Sequence, residues 1–259
     1  MVLFVVHPHG GYFQNQWERN VATAEEYILE GSALDIVIVG SSLAASMEKD
    51  DLGFRFRNIS FVGGSAQTGL EIIRRCRPMP RVVLVETNVL WHLDTAFVEA
   101  RFAPFKSSLK RYIPSARTIN QPVNLLLSAL NIRDGKEDFI PDAKVFATLL
   151  AKQMQMYQQT DDLSLVRTWL AAVAEAVEEL KARGVKVVFF RMPVDPSIEE
   201  SPRVRRIQEE YTREFPPSHF AWLEVPHGGY LTSDGVHLVP QCARDFSGKL
   251  RRALELSGY

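Results

Sequence analysis

With 259 residues, 46% of them hydrophobic and 24% charged, the chain has the size and apolar content of one large α/β domain with a buried core, and it is too apolar for a disordered polypeptide. Thirty basic against thirty-one acidic side chains leave a formal charge of -1, which excludes a whole-protein positive field that would gather nucleic acid. The two cysteines, Cys76 and Cys242, lie far apart and match no metal-ligand spacing, so neither a metal site nor a disulfide framework is expected.

The N-terminal run "MVLFVV" is apolar for only six residues before "HPHGG", far short of the roughly 20 that span a bilayer, and it lacks the basic flank and cleavage site of a secretory signal. It reads as a short buried strand or a disordered start, with a shortened membrane anchor as the other reading. Five apolar runs follow: "DIVIVG" from Asp35 to Gly40, "RNISFVG" from Arg57 to Gly63, "RVVLVET" from Arg81 to Thr87, "VKVVFF" from Val185 to Phe190 and "FAWLEV" from Phe220 to Val225. Several are nearly continuous in Val, Ile, Leu and Phe, as strands covered on both faces require, which predicts a parallel sheet between helix layers. "GLEIIRRC" after the second run and "DLSLVRTWLAAVAEAVEELKARG" before the fourth are the expected crossover helices. In the latter, Leu165, Trp169, Val173, Val177 and Leu180 recur at helical spacing and Gly184 marks the stop. "QCARDFSGKLRRALEL" is a closing amphipathic helix. Between Trp91 and Gln159, Pro104, Pro114, Pro122 and Pro141 and the basic stretch "KSSLKRY" break the pattern. Residues 91–159 are therefore read as a partly helical insertion in a single domain spanning residues 1–259. It is either a wall or lid over a site or a surface excursion.

Ligands of an open parallel α/β sheet bind beyond the carboxyl ends of its strands. After the first run, Gly40 permits a tight turn, and Ser41 and Ser42 are expected to open a helix whose free N–H groups suit a developing oxyanion; the alternative is an N-cap. After the second run come Gly63 and Gly64, where backbone N–H groups can approach a ligand, although no nucleotide fingerprint is complete. After the third comes Asn88, a neutral donor or a turn former. The loop "SDGVHL" before the closing helix sets Asp234 three positions ahead of His237. A carboxylate on one imidazole nitrogen fixes the tautomer and leaves the other nitrogen as a base, while Ser233 or Asp234 capping the helix is the alternative. Arg191, after the fourth run, is a candidate for binding an anionic sugar or carboxylate, or else an ordinary salt bridge. His92 and His227 are rival bases without an aspartate at the same spacing.

Taken together, "IVIVGSSLAAS", "NISFVGGS", "VVLVETNV" and "SDGVHL" resemble, in order, the four blocks of the SGNH (GDSL-like) hydrolase superfamily. The resemblance implies a three-layer α/β/α sandwich with a five-stranded, mainly parallel sheet of flavodoxin-like type. It implies Ser42 as nucleophile, Asp234 and His237 as acid and base, and an oxyanion hole from Ser42, Gly63 and Asn88, with Gly64 an adjacent rival and substrate-binding position. No cofactor is implied. Glu86 and Val89 depart from the third block, which has glycine and aspartate there. The G-S-S and E-x-N variants are similar to bacterial envelope branches, so the implied activity is that of a serine esterase or O-acyltransferase on ester-linked acyl groups, acetyl first, of a carbohydrate. A glycan or small-molecule ester is then the substrate, and an extracytoplasmic or membrane-associated setting with an envelope partner is favoured over a cytoplasmic one. The competing expectation is a catalytically inactive scaffold of the same fold that binds glycan or partner proteins in an envelope assembly.

Overall fold

The computed structural model describes residues 15–30, 34–47, 56–103, 109–122 and 142–259. The N-terminal apolar run, Pro104, Pro141 and the first residues of the basic stretch lie outside them. Five strands form one wholly parallel sheet: β1 (Ile36–Val39), β2 (Phe56–Asn58), β3 (Val82–Glu86), β4 (Lys186–Phe190) and β5 (Ala221–Leu223), in the order β2-β1-β3-β4-β5. Four of the five apolar runs thus contain a strand, and the second overlaps β2, which begins one residue before it. The second strand stops short of its run's end because the chain leaves regular pairing after Asn58, although Ile59 and Phe61 still donate N–H bonds to Ile38 of β1 and to Gly40 just beyond it, at 2.9 and 3.0 Å.

The strands are apolar on both sides because both sides are covered. Val37 and Val39, Val83 and Val85, and Val187 and Phe189 enter one core, while Ile36 and Ile38, Val82 and Leu84, and Val188 and Phe190 enter the other. This is the period of two expected of pleated strands. The first core is closed by helices α1 (Gln16–Glu30), α2 (Ala66–Arg75), α3 (Thr95–Phe102) and α5 (Leu163–Ala182), together with Ile207 and Tyr211 of α7 (Pro202–Glu214). The second is closed by α6 (Pro196–Glu199), Val204 of α7 and α8 (Pro240–Leu256), with Leu150 and Met154 of α4 (Ala143–Tyr157) at its margin. The result is the three-layer α/β/α sandwich.

Three details differ from the sequence reading. Asp162 caps α5 by accepting from Ser164 and Leu165, and the buried stripe of that helix begins Val166, Leu170 and Val173, which leaves Leu165 49% exposed. Phe97 and Val98 of α3 are buried in the first core, so residues 95–102 belong to the sandwich and not to an excursion. Helix α1 is an element beyond the five runs and the crossover and closing helices that the sequence marks. Its Glu25 carboxylate accepts from the N–H of Thr118 at 3.0 Å and is ion-paired with Lys110, which fastens residues 109–122 to the first helix layer.

Candidate active site

A 2-1-3-4-5 strand order reverses direction between β1 and β3, and the crevice at that switch point is where such sheets bind ligands. The chain leaving β1 turns at once through Gly40, Ser41 and Ser42, and in the described residues it continues as one 3-10 turn, Ala44–Ser46, in place of the expected helix. Ser42 is half-buried, and its Oγ lies 2.8 Å from His237 Nε2. His237 Nδ1 lies 2.8 Å from Asp234 Oδ2, while Asp234 Oδ1 accepts the N–H groups of Val236 and His237 at 3.0 and 2.9 Å. Ser42, His237 and Asp234 therefore form one continuous hydrogen-bonded relay across 195 residues of chain.

The loop that carries the acid and base is held by its backbone, and neither Ser233 nor Asp234 caps the closing helix. The N-cap of α8 is Val239, without a side-chain bond. Thr232 and Leu238 make an isolated antiparallel bridge, Ser233 donates its N–H to the His237 carbonyl at 2.7 Å, and Thr232 Oγ1 accepts from Gly235 at 3.1 Å. Gly235 has φ +98, a backbone that favours glycine, and its carbonyl accepts from Asp195 at 2.8 Å at the start of α6. From α4, Gln153 Nε2 donates to Asp234 Oδ2 at 3.1 Å, so the described helix of the insertion touches the acid directly. Burial would raise the Asp234 pKa, but hydrogen bonds from the His237 ring and from the His237 and Val236 N–H groups outweigh it and hold the carboxyl down to about 2. It stands ready as an anion beside the imidazole.

The remaining predicted positions are distributed unevenly. The N–H groups of Ser42 and Gly63 have no partner among the described residues, whereas that of Gly64 closes a turn onto Phe61 at 3.0 Å. This favours Gly63 over Gly64 as a donor. Gly63 has φ +75, and its turn is fixed from α1, where Asn20 donates to the carbonyl of Val62 at 2.9 Å and accepts its N–H at 3.1 Å. Asn88 is buried after β3, and its amide is largely committed: Nδ2 donates to the Met192 carbonyl and Oδ1 accepts the Met192 N–H, both at 2.7 Å. The expectation of Asn88 as a free donor is corrected to one remaining N–H on Nδ2. Arg191 is ion-paired with Glu199, the ordinary salt bridge. His227 lies against Arg191, its pKa lowered by burial and then by that guanidinium, and His92 packs among Trp91 and Trp169. His237 alone among the described residues is bonded to Ser42.

Asn20 and Gln153 were not foreseen, and Glu86, which the sequence marks as a departure from the third block, takes a further part. Glu86 is completely buried behind the serine turn, where its carboxylate accepts the N–H groups of Ser41 and Asn88, each at 2.7 Å. Two local signals pointed toward them. The apolar spacing of Val21, Ala24 and Tyr27 marks α1, and a carboxylate ending an otherwise apolar strand is unusual enough to note. Among known proteins, the chain matches no family model, and no curated protein matches it.

Proposed function

We propose that the chain is a serine esterase or O-acyltransferase of the SGNH type, acting on ester-linked acyl groups, acetyl first, of a carbohydrate. The observation that carries this reading is the Ser42–His237–Asp234 relay, with both links at 2.8 Å, at the switch point of the sheet. In the proposed reaction His237 Nε2 takes the Ser42 proton as Oγ bonds to the ester carbonyl carbon, and Asp234 stabilises the imidazolium. The carbonyl oxygen becomes an oxyanion facing the N–H groups of Ser42 and Gly63 and the remaining Asn88 N–H. Collapse breaks the ester C–O bond, and the leaving alkoxide takes the proton from His237. A water or a sugar hydroxyl then repeats the sequence on the acyl-serine, giving hydrolysis or transfer.

The test is incubation with a fluorophosphonate and with an aryl acetate, following the intact mass and ester turnover. An adduct on Ser42 that Ser42→Ala abolishes and His237→Ala slows strongly is expected. A folded protein with neither adduct nor turnover would instead be a scaffold of the same fold.

A further inference from the structure

The proposed chemistry leaves Glu86 without a role, yet its surroundings are built around it. The side chain is 0% exposed, and no cation is paired with it among the described residues. Its carboxylate instead receives two backbone donors. Oε2 accepts the Ser41 N–H and Oε1 the Asn88 N–H, each at 2.7 Å. Gly40 makes room for it, since a Cβ there would stand 2.8 Å from Glu86 Cβ and 2.9 Å from Oε2. A buried carboxylate is a poor stabilising device compared with an apolar side chain of similar size, so its retention at a strand end calls for another use.

That use is visible in which donors remain free. Ser41 N–H is taken by Glu86, and Leu43 N–H is taken by Ser41 Oγ at 3.2 Å, so on the turn the N–H of Ser42 alone is left unpartnered between them. On the facing loop, the N–H of Asn88 is taken by Glu86, while the side-chain amide of Asn88 keeps one N–H for outward chemistry. One carboxylate thus spans the turn after β1 and the turn after β3, and it absorbs the donors that flank the oxyanion position.

Resting on the esterase reading above, we infer that Glu86 is a positioning residue that clamps the Ser42 turn to the Asn88 loop, so that the reactivity of Ser42, rather than the binding of substrate, depends on it. Glu86→Gln tests this because it keeps the shape but replaces one acceptor by a donor. Either Ser41 or Asn88 then points its N–H at an NH2 group.

In Glu86→Gln, labelling of Ser42 by a fluorophosphonate and kcat on an aryl acetate should fall about tenfold or more while KM stays within about twofold, the signature of an interaction used in the transition state. Hydrogen exchange at the Ser41 and Asn88 amides should accelerate while amides of β4 keep their protection. Gly40→Ala, which presses a methyl group onto Glu86 from the other side, should reproduce the kinetic loss if Glu86→Gln folds poorly. A loss of thermal stability with labelling rate and kcat unchanged in the folded protein would overturn the inference and leave Glu86 a structural residue. If the wild-type chain is never labelled, the esterase reading fails by itself. Amide exchange still decides the clamp in that case: protection lost in Glu86→Gln upholds it, and protection retained overturns it.

Discussion

Replacing Asp234 by asparagine keeps the shape of the side chain beside His237 but reverses the polarity at Oδ2, which faces both His237 Nδ1 and Gln153 Nε2. Asparagine Oδ1 can still accept the N–H groups of Val236 and His237, so the loop is preserved. The amide nitrogen then faces Nδ1, which must accept, and the imidazole proton moves to Nε2, where it faces Ser42 Oγ in place of a lone pair. Asp234→Asn should therefore fold and should lose roughly 10⁴-fold in kcat, the size of effect that a wrong tautomer has in a serine triad; activity within tenfold of wild type would remove Asp234 from its orienting role. Asn88→Ala is a different kind of change, because the side chain has two employments. Loss of an oxyanion donor lowers kcat by about 10²–10³. Loss of both bonds to Met192 leaves a buried N–H and carbonyl without partners, at about 1–3 kcal/mol. Urea denaturation read beside kcat separates the two, and a stability loss with kcat intact would confine Asn88 to holding the chain after β4.

Between elements, the tightest control on the site is the contact of α4 with the loop of the acid and base. A methyl group on Gly235 would stand 2.5 Å from Leu150 Cδ1, and the backbone at φ +98 resists any side chain. Gly235→Ala should destabilise by about 1–2 kcal/mol from the backbone alone, with a further steric part that Leu150→Ala relieves. A double-mutant cycle by urea denaturation should thus show partial rescue, and strict additivity would mean that α4 does not press on the loop. This contact also marks where sequence reasoning stops. The five strands were legible because Val, Ile, Leu and Phe run almost unbroken wherever both faces are covered. Asp234 and His237 were legible because their spacing is local, and Ser42 because it directly follows a strand. The phase of α5 was not, since Leu165 and Val166 are adjacent and equally apolar, and only tertiary packing selects the valine. Glu86, Asn20 and Gln153 bond to partners 45, 42 and 81 residues away, and no periodicity or motif encodes such distances.

Over the whole molecule, the parallel order with its switch between β1 and β3 brings two carboxylates of opposite electrostatic character to one end of the sheet. Asp234 is held below its ordinary value of 3.8, down to about 2, and Glu86 is pushed above its ordinary 4.5, by burial that outweighs the hydrogen bonds to its carboxylate. For Asp234 the unfolded chain binds the proton more tightly than the folded one. Its contribution to stability is therefore complete above pH 3.8 and is lost as the pH falls toward 2. For Glu86 the folded chain binds the proton more tightly, so its contribution is complete below pH 4.5 and declines as the pH rises through the raised folded value. Unfolding free energies measured across pH should therefore diverge in a residue-specific way. The deficit of Asp234→Asn relative to wild type should shrink as the pH approaches 2. The wild-type decline above pH 4.5 should be flattened in Glu86→Gln, which has no carboxyl to titrate at that position. Parallel pH profiles for wild type and Glu86→Gln would mean that the hydrogen bonds from Ser41 and Asn88 fully offset burial, with Glu86 binding its proton equally in the folded and unfolded chain.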